Sequence, residues 1–312
     1  MKKIHHIIGD IHGHGISLQK LLEHLGYKLL DGVYQHPESH RVVFLGDFID
    51  RGPTHREVID TVRPMVEAGH ALAVMGNHEF NAVCYHMSDG AGGFLRQHNT
   101  KNTNQHEAFL QAYPDEVERQ GIVDWFKTLP LWLETDDFRV VHACWHQGSL
   151  DVLKPFMNEN NCLSDSGYVA TSVKDSAEYN ALEVLIKGVE AALPDGQSFS
   201  DKDGNKRRHI RTKWWDSQAK TYQTASIPEN IVEEDIGETP ASSRPGYPAD
   251  AKPLFIGHYW FTGDPVPLLG NLACVDYSIG KNKPGKSSNG KLVAYAYSGE
   301  TSLSADHFIW CK

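Results

Sequence analysis

The chain has 312 residues, 40% hydrophobic and 22% charged, enough for one large domain or two ordinary ones built on a globular core. Its net charge of −10 argues against a nucleic-acid backbone as the main partner, and no run approaches the ~18 apolar residues of a membrane span. The five cysteines, Cys84, Cys144, Cys162, Cys274 and Cys311, are odd in number and scattered. They suit a reducing, cytoplasmic compartment better than a zinc ribbon or a disulfide framework.

The first apolar run, at 4–8, predicts a strand rather than a signal peptide, and it ends in Gly9-Asp10-Ile11-His12. Leu18, Leu21, Leu22 and Leu25 fall at helical spacing, with Gly26 as the stop. A second apolar strand, Val42-Val43-Phe44-Leu45, leads into Gly46-Asp47-Phe48-Ile49-Asp50-Arg51-Gly52. Two carboxylates and a guanidinium at one strand end suggest an electropositive anion site holding a metal. A helix over 55–68, kinked or broken at Pro64, comes next. A third strand, 71–75, ends in Gly76-Asn77-His78-Glu79. This alternation predicts a parallel βαβ core.

Residues 80–137 read as mostly helical, with Trp125, Phe126, Leu129, Leu131 and Trp132 as packing residues. Strand 138–141 ends in His142, the fourth candidate ligand position; His146 is expected at the rim. Residues 176–193 carry one apolar stripe and predict a single amphipathic helix. A polar loop at 195–205 precedes the run 206–215, whose Lys and Arg residues alternate with His209, Trp214 and Trp215. That run could hold a phosphate and stack a nucleobase, or it could be a solvated face beside a packed Trp pair. Pro-rich 228–252 reads as an exposed loop. The span 148–252 is expected to be an insertion on a single domain covering 1–312. The core resumes with strand 253–256 before Gly257-His258, and closes with strands near 271–276 and 291–297; 280–290 reads as a flexible hairpin loop.

Four of these strands end in Gly and then a ligand-type residue, at Asp10, Asp47, Asn77 and His258. Such a set of oxygen and nitrogen donors is large enough for two divalent ions sharing a carboxylate. Gly9-Asp10-Ile11-His12-Gly13, Gly46-Asp47 through Gly52, Gly76-Asn77-His78-Glu79, Val140-Val141-His142-Ala143 and Gly257-His258, in this order, resemble the calcineurin-like metallophosphoesterase superfamily. The Asp50-Arg51-Gly52 and Asn77-His78-Glu79 forms are similar to its phosphoprotein-phosphatase branch. The closing stretches 273–281 and 290–300 resemble bacterial members related to symmetrical dinucleoside tetraphosphate hydrolases.

The resemblance implies an α/β fold with a β-sandwich core flanked by helices and a helical and loop insertion before the last His motif. It also implies two divalent ions, Mn first and Fe, Zn or Ni as alternatives. Asp10 and His12 would hold one ion and Asn77, His142 and His258 the other, with Asp47 bridging. His78 would protonate the leaving oxygen, Asp50 would orient His78, and Arg51 and Arg211 would bind phosphate, with Arg208 second to Arg211. Two features depart from the pattern: Ala143-Cys144 follows His142, and Tyr259 follows His258. The expected reaction is hydrolysis of phosphomonoesters, with a phosphorylated protein or a small phosphoester as partner. A protein phosphatase for Ser/Thr or Tyr is the first reading, a dinucleoside polyphosphate or nucleotide phosphohydrolase the second, and a non-catalytic metal or phosphate-binding module the third.

Overall fold

A computed structural model describes residues 3–200, 206–229, 231–232, 236–282 and 289–311. Parts of three expected loops, 201–205, 230 with 233–235, and 283–288, lie outside the described residues. The first third of the chain runs β1 (His5–Ile8), α1 (Gly15–His24), β2 (Lys28–Leu30), β3 (Val33–Gln35), β4 (Arg41–Phe44), α2 (His55–Glu67), β5 (Ala71–Ala73) and α3 (Asn77–His86). β1, β4 and β5 pair in parallel, Ile8 against Phe44 and Phe44 against Ala73, so their C-terminal ends open on one edge.

The chain continues through α4 (Thr100–Ala112), α5 (Glu116–Phe126), β6 (Trp132–Glu134), β7 (Arg139–Val141), α6 (Gln147–Leu153), α7 (Asp165–Ser172) and α8 (Ala177–Lys187). Short elements follow: β8 (Glu190–Ala192), β9 (Phe199–Ser200), β10 (Lys206–Arg207), β11 (His209–Thr212), α9 (Tyr222–Ala225) and β12 (Ser226–Ile227). The last strands are β13 (Leu254–Ile256), β14 (Leu272–Cys274), β15 (Asp276–Tyr277), β16 (Lys291–Tyr297) and β17 (Phe308–Cys311).

Two sheets form the core. One has the order β15-β16-β1-β4-β5 with β17 added to β16, and the other β14-β13-β7-β6. Alternation along the strands divides their side chains between layers. Ile7, Val43 and Leu45 meet Val140, Phe255, Ala273 and Val293 between the sheets, whereas Ile8, Val42 and Phe44 join Leu18, Leu22, Val58 and Val62 of α1 and α2. Trp125, Phe126, Leu129, Leu131 and Trp132 are buried as expected.

Several elements differ from the sequence expectation. α2 runs unbroken through Pro64 to Glu67. The proline lies in the last turns, where its missing N–H removes a single bond. The helix expected over 176–193 stops at Lys187 because Gly188 turns at φ 82°, and β8 then pairs with β11. The strand expected at 271–276 splits at Val275, β14 staying in one sheet and β15 crossing to the other. The hairpin β2–β3 and strand β17 were not expected; β2 is exposed at all three positions and shows no alternation. The span 80–137 contains three helices, with loop at 87–99 and strand β6 at its end. Residues 228–252 bury Thr239, Ser243 and Tyr247, so that loop is partly packed rather than exposed throughout.

Candidate metal centre

The ends of β1, β4, β5, β7 and β13 bring Asp10, His12, Asp47, Asn77, His142 and His258 to one buried place, from both sheets of the sandwich. Asp47 Oδ2 is the hub: it lies 3.5 Å from His142 Nε2, 3.7 Å from His12 Nε2 and 3.9 Å from His78 Nε2. His12 Nε2 is also 3.9 Å from Asp10 Oδ2. Two groups therefore share Asp47, His12–Asp47–His78 on one side and Asp47–His142–His258 on the other, each with its ligand atoms within 4.8 Å of one another.

The donors fit cations by a further criterion. His12 Nε2, Asn77 Oδ1, His142 Nε2 and both ring nitrogens of His258 are buried without a hydrogen-bond partner. An unmade bond at such an atom costs about 1–3 kcal/mol, which a coordinated ion removes. The outer nitrogens of two of these rings are already fixed: His142 Nδ1 donates to the Leu45 carbonyl at 2.6 Å, and His12 Nδ1 faces the Ile49 carbonyl at 3.4 Å. That arrangement leaves Nε2 as the inward lone pair, the usual way a ligating imidazole is oriented.

The local backbone explains the recurring glycine. A Cβ on Gly9 would lie 2.1 Å from the Val275 carbonyl oxygen, on Gly76 2.3 Å from Asp47 Oδ1, and on Gly257 2.2 Å from Asp10 Oδ1. The strand ends approach so closely that no side chain fits. His12, Asp47, Asp50, Arg51 and His258 all have positive φ, between 46° and 72°, a region costly for residues with a Cβ and concentrated at functional sites. Glu79 holds part of this strained loop. Its carboxylate accepts from the N–H groups of Asp47 (2.7 Å), Phe48 (2.8 Å) and Gly76 (3.0 Å). The sequence reading assigned no role to Glu79, although its place in the first turn of α3 is the capping-box position.

The charges of the cluster act strongly on one another. Burial works against charge on His142, but Asp47 and Asp10 outweigh it and lift the imidazole to about 10. Burial also opposes the Asp47 carboxylate, which His142 and His78 nevertheless hold well below the usual range. Burial, then the Asp276 charge, raises Asp10. Burial depresses His12, and burial followed by the Arg211 charge depresses His258.

Beside the cluster, His78 Nδ1 donates to Asp50 Oδ2 at 2.6 Å. The other carboxylate oxygen, Oδ1, takes a second imidazole, His106 Nδ1 of α4, at 3.2 Å. Burial lowers His78, but Asp47 and Asp50 more than offset it, so its proton is held more tightly than usual. His106 is a participant that the sequence reading missed; it lies in a helix without a motif. Arg51 is exposed, with its guanidinium carbon 4.3 Å from the Trp260 ring centre, and Lys281 Nζ is 5.6 Å from the same ring. The Trp260 backbone N–H donates to Asp276 Oδ2 at 2.7 Å.

Of the basic run, Arg211 on β11 reaches the site: its Nε is buried without a partner and its charge acts on His258. Arg208 is exposed. Trp214 and Trp215 are packed inside, Trp214 Nε1 donating to Tyr259 Oη at 2.8 Å, so they present no stacking face to a ligand. His146 caps α6 through Ser149.

Against known proteins, a family model described as calcineurin-like phosphoesterase matches residues 6–173, more than half of the chain. The asymmetrical bis(5'-nucleosyl)-tetraphosphatase PrpE of Oceanobacillus iheyensis is 31% identical over 137 residues, 44% of this chain and 54% of the relative. The protein of that name from Bacillus velezensis is 42% identical over 139 residues, 44% of this chain and 55% of the relative. The chain thus spans about half the length of the curated relatives it matches, and these carry the asymmetrical name where the sequence resemblance pointed to symmetrical hydrolases. Among solved structures, a protein serine/threonine phosphatase from Saccharomyces cerevisiae covers 99% of this chain and 79% of its own, at 17% identity and a TM-score of 0.49. On the family match, the chain belongs to the calcineurin-like phosphoesterases.

Proposed function

We propose that the protein is a metal-dependent phosphoric ester hydrolase, and the observation that carries this is the single oxygen, Asp47 Oδ2, set 3.5–3.9 Å from three imidazole nitrogens. Asp10 and His12 would hold one divalent ion and Asn77, His142 and His258 a second, with Asp47 between them. Mn is the first choice and Fe, Zn or Ni suit the same donors. Bound there, the ions would neutralise charge at phosphorus and acidify water for attack.

The chain's own residues supply the rest. Arg51, steadied over the Trp260 face, presents a fork of N–H donors to the phosphate oxygens. Arg211 approaches from the His258 side with an unpaired buried Nε. His78 keeps its proton because the Asp47 charge lies near it and Asp50 accepts from Nδ1, and its Nε2 faces the cluster, where a leaving oxygen must be protonated. Phosphoryl transfer depends mainly on positioning and charge neutralisation, so no covalent nucleophile is needed. The buried cysteines Cys144 and Cys274 have thiols that burial pushes up, which makes them poor ones.

For the substrate we place dinucleoside polyphosphates first. Relatives matched over part of their length are named tetraphosphatases. Arg51 and Lys281 on one indole also extend positive charge past a first phosphate. This reverses the order expected from the motifs, which put protein phosphatases ahead. Rates on a dinucleoside tetraphosphate, a phosphoserine peptide and a phosphotyrosine peptide, measured side by side, decide between the readings. Faster turnover of a phosphopeptide would restore the first order, and no turnover of any of the three would favour a binding module.

A further inference from the structure

At the opposite end of the main sheet, the hairpin β2–β3 and the loop 36–40 close over the N-terminal ends of β1 and β4. They border a half-open surface cavity of about 450 Å³, within the ~300–1,000 Å³ common for small-ligand sites. Lys3, Lys28, Arg41, His36, His40 and His70 line it, and no acidic residue does. In a chain of net charge −10 this is a concentration of the minority sign. Among the described residues Lys3, Lys28 and Arg41 form no ion pair. The His36 and His40 rings stack at 4.0 Å and 16°, giving the cavity a flat wall. The His40 side chain is 10% exposed, and its Nδ1 is buried without a partner while Nε2 lies 3.5 Å from Glu38 at the rim.

Unpaired cations gathered in a concave space with no acid in its lining are poised for an anion, and Arg with Lys is the pairing that suits phosphate oxygens. β4 starts at Arg41 beside this cavity and points toward Asp47 of the metal centre six residues on, so the two places lie at most roughly 20 Å apart at ~3.3 Å per residue. We infer that this cavity is a second, non-catalytic site for a phosphate-bearing small anion. Lys28 and Arg41 supply its charge, Lys3 assists them, and the stacked His36–His40 pair forms its wall.

The test is equilibrium titration of the metal-loaded wild-type protein and of the double variant Lys28→Ala/Arg41→Ala, with inorganic phosphate and with adenosine monophosphate as separate probes. The inference expects two binding events in the wild type, one of them weakened at least ~10-fold in the variant, and unchanged turnover. Equal affinity of this event for both probes identifies free phosphate as the ligand source; tighter binding of the nucleotide identifies a nucleoside phosphate. The exposed Lys28→Glu substitution, read the same way, covers the case in which the double variant does not fold. A single binding event in the wild type, or two events unaltered by either variant, overturns the site.

Discussion

His106 Nδ1 lies 3.2 Å from Asp50 Oδ1, so the carboxylate that holds His78 is itself held from the far side. His106 is 4% exposed and stacks on Phe109 with ring centres 4.8 Å apart, which gives the second anchor little freedom to move. Replacing it with Ala should free Asp50 to rotate and lower kcat about tenfold, with little change in KM. His106→Asn, which keeps a donor, should recover part of the loss. Equal losses in the two variants would reduce His106 to a packing residue.

His78 stands close to the ligand cluster; Asp50 fixes its Nδ1 and its proton is held more tightly than usual, so it can donate to a leaving oxygen. His78→Asn should leave metal content intact and lower turnover by at least ~10²-fold. Loss of an ion in this variant, seen by metal analysis, would move His78 into the coordination shell.

How much of this was visible beforehand depends on where the information lay. Asp10, Asp47, Asn77, His142 and His258 were legible because each follows an apolar run, His142 directly and the others after one Gly, and a buried strand leaves little choice of direction at its end. Arg211 was legible only as one of several basic residues; its buried, unpartnered Nε and its charge on His258 single it out. His106 was not legible: it lies 56 residues from Asp50, and only the placement of α4 joins them. Glu79 sat inside a recognised motif, but its task is to hold backbone N–H groups from another strand end, 31 and 32 residues away, and no local pattern records that. Gly188 ended a helix whose apolar stripe continued past it, because Val189 and Leu193, at helical spacing in the sequence, flank strand β8 instead.

The Arg51–Trp260 contact should appear in binding rather than in chemistry. An exposed cation such as Arg51 over the half-buried Trp260 indole contributes about 0.5–1 kcal/mol. Trp260→Ala should therefore raise KM about two- to fivefold, and Trp260→Phe less. A fall in kcat with unchanged KM would show that the indole acts on the reaction step.

The His142 charge makes the metal-free protein sensitive to pH. Its folded-state value, about 10, lies above the ordinary imidazole value of 6.5. A raised value on a base means stabilisation that is complete below the unfolded value and is lost as pH rises through the folded one. In the presence of chelator, Tm should thus fall between pH 6.5 and 10, and His142→Asn should flatten that slope. A ligating imidazole must lose the same proton, so Mn binding should tighten over this window. A chelated protein whose Tm is level across the window would remove the His142 charge from the account.

Asp47→Asn keeps the shape of the side chain and removes the shared charge. Metal analysis of this variant beside the wild type, after equal loading and desalting, addresses the bridging role of that oxygen most directly. The expected result is two ions per chain in the wild type and neither retained in Asp47→Asn. Two tightly held ions in the variant would contradict it.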